Sequence, residues 1–204
     1  MKKSLLITAG LFAILQLHGQ GTVDFFNNGL NAPVIDSTTG NNAVAGATFS
    51  VALYWSPYDP TSPTAPDRPF TQVGQSVHLG FPPPAPPGSG TGYYQGGVVT
   101  APGVVPPGGL GWFQVKAWET AYGISYEQAA AAGPMNGRTA LLGVSSSVLV
   151  QTGNAGITPT PPGNLIGISP ILLTVVPEPS VVAMGAMSAC ALLVFLSKKP
   201  TAAQ

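Results

Sequence analysis

The chain has 204 residues, only 7% of them charged, with 26 glycines, 22 prolines and a formal net charge of zero. So low a charge density, with aromatic and β-branched residues spread along the whole length, argues against an intrinsically disordered chain and for many short strands joined by Gly/Pro turns. Lys2, Lys3, Lys198 and Lys199 sit at the extreme ends, so the stretch 21–176 keeps Arg68, Lys116 and Arg138 against Asp24, Asp36, Asp59, Asp67, Glu119 and Glu127. That acidic balance leaves little to neutralise phosphates and argues against nucleic acid as a partner.

In chain order, Met1, Lys2 and Lys3 open onto an apolar run over 5–17, followed by His18, Gly19 and Gln20. A basic start, a short apolar stretch and a small residue make a secretory signal peptide. We therefore expect a signal helix over 1–19, removed by signal peptidase near Gly19, and an exported domain over 20–176. Segments rich in strand-forming residues and bounded by turn chemistry follow at 22–27, 48–55, 70–79, 92–100, 111–120, 140–150 and 171–176. In the second, Phe49, Val51, Leu53 and Trp55 alternate with the smaller Ser50 and Ala52, which predicts one buried face. In the fifth, Phe113, Val115 and Ala117 alternate with Gln114 and Lys116, which puts Trp112 and Trp118 on the opposite, outward face.

Two elements interrupt the strands. The run Phe81 to Gly88 holds five prolines, cannot join a ladder and reads as an extended surface loop. Ser125, with Gln128 at capping-box spacing, opens a short helix that Gly133 and Pro134 stop. The single cysteine, Cys190, lies outside the central region, so no intrachain disulfide forms. The fold class read from this pattern is mainly β: an antiparallel β-sandwich of about seven strands with one short helix, plus the N-terminal signal helix and a C-terminal transmembrane helix.

The C-terminal segment, 177–204, carries the most specific signal. Val176, Pro177, Glu178 and Pro179 precede an apolar stretch that runs to Leu196, and Ser197, Lys198 and Lys199 follow. Counting 180–197, the span is roughly 27 Å as a helix, just enough for a bilayer core. The two lysines form a cytoplasmic stop, and the positive-inside bias agrees with the outward delivery set by the signal peptide. The order of tripeptide, short helix and basic tail resembles the PEP-CTERM sorting signal. That resemblance implies recognition of Pro177, Glu178 and Pro179 by an exosortase, a multipass membrane enzyme of Gram-negative bacteria, often in hosts that make exopolysaccharide. The two prolines fit such a role, because they hold the backbone extended and accessible. The segments Gln20 to Asn28, Gly111 to Glu119 and Ser125 to Glu127 also look similar to a group of PEP-CTERM proteins whose resemblance brings no activity with it.

Chemistry is scarce in the central region. His78 is its one histidine, there is no exported cysteine and no Gly-x-Ser-x-Gly elbow, so we expect no catalytic residue, no metal site, no cofactor and no enzyme. Glu119 and Glu127 can be weighed as a glycosidase acid–base pair, and the Asx-rich stretch 36–42 as a calcium loop, but solvated carboxylates and a plain turn are the simpler readings. Among Trp55, Trp112, Trp118, Tyr93 and Tyr94, the outward-facing Trp112 and Trp118 are the candidate glycan contacts. The function expected is an exported, cell-surface or matrix-associated structural protein sorted by an exosortase and anchored in the membrane until processed. The alternative is a β-sandwich module that binds exopolysaccharide.

Overall fold

The computed structural model describes residues 20–66, 68–82, 88–102, 105–154 and 159–175. The expected signal helix, the sorting motif from Val176 to Pro179, the span over 180–197 with Lys198 and Lys199, and most of the proline-rich loop lie outside these residues. Among the described residues no helix is long and apolar enough to cross a membrane.

The chain forms β1 (Gly21–Phe26), β2 (Val34–Asp36), β3 (Asn41–Asn42), β4 (Gly46–Pro57), β5 (Thr71–Leu79), β6 (Gln95–Thr100) and β7 (Leu110–Glu119). A 3-10 turn (Thr120–Tyr122) and the helix α1 (Tyr126–Ala131) follow, then β8 (Leu141–Val144), β9 (Val148–Gln151), β10 (Gly153–Asn154), β11 (Gly163–Asn164) and β12 (Ile171–Val175). The fold is mainly β, as the sequence predicts, and the strands make two sheets. One runs β10-β1-β11 with β6 also on β1; the other runs β3-β2-β12-β8-β7-β4-β5 with β9 also on β7. The ladders are antiparallel except for β1 with β11 and β2 with β12. This mixed character departs from the all-antiparallel expectation, because strands about 140 residues apart pair in a register that no local pattern announces.

The stretch 140–150, expected as one strand, is two. β8 pairs with Lys116–Trp118 and β9 with Leu110–Phe113, so both use the same edge of β7. Ser145 bridges the break: its N–H donates to the Val115 carbonyl at 2.9 Å and its Oγ accepts from the Val115 N–H at 2.9 Å. The sheet's hydrogen bonding thus continues where the strand does not. The helix is where the sequence puts it, with the Ser125 Oγ accepting from the Gln128 N–H. The Gln128 amide oxygen returns to the Ile124 N–H, one residue earlier than in an ideal capping box.

Between the sheets lies the main core, with Phe25, Val51, Leu53, Phe113, Val115, Leu165 and Leu173 all fully enclosed. Each such side chain contributes roughly 1.5–3 kcal/mol by leaving water. Asn27 is a polar exception. Its amide donates to the Ala32 and Gly92 carbonyls, and its oxygen accepts from the Tyr94 N–H at 2.8 Å, which ties the turn after β1 to the chain entering β6. The second, smaller core contains Ala52, Tyr54, Trp118, Tyr122, Ala129, Ala140 and Leu142. It sits on the outer face of the large sheet, beneath α1.

Candidate functional site

Alternation along β7 sends Phe113, Val115 and Ala117 into the main core and Trp112, Gln114, Lys116 and Trp118 to the other face, as predicted. That other face is not open, however. Trp112 is 8% exposed and Trp118 0%, which overturns their reading as outward glycan contacts. Trp118 lies under the 3-10 turn and α1, and its indole N–H donates to the Gly123 carbonyl at 2.9 Å. Trp112 stands opposite Ser56, itself fully buried, whose hydroxyl donates to the Arg68 carbonyl; the connection after β4 lies against this end of the sheet. Strand alternation fixes which face a side chain takes, but not whether a later segment covers that face.

Polar side chains lock the outer layer in place. The Tyr54 hydroxyl donates to Glu127 Oε2 at 2.8 Å, while Lys116 Nζ donates to Oε1 at 3.1 Å and stands 4.0 Å from the Tyr54 ring centroid and 4.8 Å from that of Tyr126. Burial pushes the Glu127 carboxyl upward, but the hydrogen bonds from Tyr54 and Lys116 outweigh it and hold the group below the usual carboxylate range. Burial and the same carboxylate push the Tyr54 and Tyr126 phenols up. A few residues away, Arg138 grips Glu119 with its two terminal guanidinium nitrogens, Nη1 and Nη2, and that hydrogen bonding pushes the Arg138 pKa up. Glu119 is buried against it. The two carboxylates weighed as an acid–base pair are therefore each bound to a cation of their own, and Glu127 is shifted away from the raised pKa that a general acid requires.

The other candidates resolve into structural roles. His78 is exposed on β5, and its Nδ1 lies 3.2 Å from the Ser50 hydroxyl, which also contacts the Thr120 hydroxyl at 2.9 Å. The stretch 36–42 is a hairpin turn in which Asp36 Oδ1 accepts from the Thr38 N–H and hydroxyl, an Asx turn. Among the described residues no three His, Cys, Asp or Glu side chains are grouped to hold a metal ion. Tyr94 is fully buried with its ring 5.0 Å from Phe25, and burial pushes its phenol up. Its hydroxyl and the indole nitrogens of Trp55 and Trp112 find no hydrogen-bond partner among the described residues.

A cavity lies where the sandwich opens between β5 and β6, edge strands of the two sheets. It has a volume of about 460 Å³ and is lined by Gly74, Gln75, Ser76, Gly96, Val98 and Thr100, among others. Both edges are irregular there: the β4–β5 register shifts between Val51 and Leu53, and the β1–β6 register between Phe25 and Phe26. Gly74 (φ 69°) and Gly97 (φ 71°) adopt the left-handed conformation that such bulges use. A Cβ on Gly74 would stand 3.0 Å from Val99, so the close approach of the two edges also needs glycine there. Glycines inside a strand are the sequence signal that would have found this groove. Among the described residues no ionisable side chain lines it, and those that do line it offer hydroxyl, amide and backbone groups.

No family model, no curated protein and no solved structure matches the chain.

Proposed function

We propose that the chain is an exported, surface- or matrix-associated structural protein. In this reading an exosortase processes it through Pro177, Glu178 and Pro179, and the C-terminal apolar segment anchors it beforehand. The observation that carries the structural role is the engagement of four charged side chains of the domain. Glu119, Glu127, Lys116 and Arg138 pair with one another to hold a second layer on the sheet, so the chemistry at hand serves the fold. The sorting part rests on the order of tripeptide, apolar run and basic tail in the sequence. Intact-mass analysis in the native host tests it. The wild type should end near Glu178, and replacement of the tripeptide by Ala-Ala-Ala should leave the uncut chain in the membrane. If both forms keep the apolar segment with the exosortase present, the chain is a simple single-pass anchor.

The groove between β5 and β6 favours a second reading, an exopolysaccharide-binding module. An uncharged cleft of hydroxyl, amide and backbone groups suits neutral sugar hydroxyls, although it lacks an aromatic platform. Glycan binding by residues 20–175 that Ser76→Tyr abolishes would support it, and binding unaffected by that change would not.

A further inference from the structure

We propose that one end of the sandwich rests on the lipid bilayer while the chain is still anchored, with Ile124 and Met135 seated in the interface. This rests on the anchor reading above. The register defines that end. Trp118 pairs with Leu142 and Leu142 with Thr174, so the next row across the sheet is Glu119, Leu141 and Val175. β7 and β12 therefore finish at the same edge, two strand spacings or about 10 Å apart. The 3-10 turn and the start of α1 follow directly from β7, and the turn between Met135 and Arg138 is fastened to them. The Tyr122 hydroxyl lies within hydrogen-bond distance of the Met135 and Arg138 carbonyls, and Arg138 grips Glu119 in the row itself.

From this end the chain leaves for the membrane. Only Val176 to Pro179 separate Val175 from the start of the expected span, and four residues reach at most about 14 Å even when fully extended. So short a tether holds this end of the domain against the bilayer whatever path it takes. Exposed large apolar side chains occur over the described surface, Ile166 at 73% and Val98 at 57% among them, and three stand at this end. Ile124 is 80% exposed, Met135 43% and Val175 47%. A polar turn with this connectivity needs no isoleucine, and water gains nothing from it; an acyl-chain boundary held within reach does. The local charge is not what draws the end to lipid, because Arg138 is held by Glu119, Lys116 by Glu127, and Asp36 adds a negative charge at the end of β2. The contact is apolar and requires no anionic headgroup.

The test uses the full chain with Cys190→Ser, made without the processing enzyme and placed in phosphatidylcholine nanodiscs. Single cysteines replace Ile124, Met135 or Leu110, each labelled with a small fluorophore. Leu110 begins β7 at the far end of the sheet, about 30 Å away, and is 40% exposed. Brominated acyl chains should quench the labels at 124 and 135 several-fold more than the label at 110, and adding phosphatidylserine should change nothing. Equal quenching at all three sites, with the chain still in the nanodisc, overturns the inference. So does quenching that appears only with anionic lipid, or protection at 124 that appears only when the processing enzyme is added, which would assign the face to that protein. Failure of the chain to enter the nanodisc at all refutes the anchor reading and the inference with it.

Discussion

The two faces of the eight-stranded sheet bury different chemistry. Towards the smaller sheet, Val51, Leu53, Phe113 and Val115 meet other apolar side chains and little else. On the outer face, Tyr54, Trp118 and Tyr122 are covered by a six-residue helix and a 3-10 turn, too little mass to enclose them with hydrocarbon alone. The remainder is done by directed contacts: Tyr54 and Lys116 on Glu127, the Trp118 indole on Gly123, Tyr122 on the 135–138 turn and Arg138 on Glu119. Non-directional burial suffices between two broad surfaces, whereas a small cover over a flat sheet needs hydrogen bonds and ion pairs to fix its place.

Substitutions on each face sharpen that contrast. Phe113→Ala in the main core should destabilise the whole domain by about 3–5 kcal/mol, with one cooperative transition in urea; a loss under about 1 kcal/mol would mean the inner layer is not the dominant core. Arg138→Met should cost less, about 1–3 kcal/mol, because it leaves the buried Glu119 carboxylate without its donors. Hydrogen exchange should quicken in the 3-10 turn and α1 while β4 and β7 keep their protection. If exchange quickens equally in both sheets, the outer layer is not a separate unit.

The smallest effect is in pH dependence. Glu127 is held below the ordinary carboxylate range in the folded state, so its contribution is fully present above the unfolded value near 4.5 and is lost as pH falls through the lower folded value. Glu127→Gln should therefore lower Tm at pH 7 by a small amount and flatten the decline of Tm below about pH 4.5. An unchanged acid limb would show that the contacts to Tyr54 and Lys116 are too exposed to matter.

The sequence by itself determined the mainly β class, the positions of the long strands and the helix with its Ser125 cap. All of these follow from local periodicity and capping chemistry, which neighbouring residues dictate. It also determined the division of β7 into two faces, and the absence of a central cysteine. Only the tertiary structure decided that both faces are covered and so hid Trp112 and Trp118. It also decided that 140–150 splits around Ser145, that β2 and β12 run in parallel, and that two bulged edges frame a groove. Each of these depends on partners distant in the chain, and a side chain's neighbours across a sheet or beneath a helix are set by register and packing, not by the residues beside it.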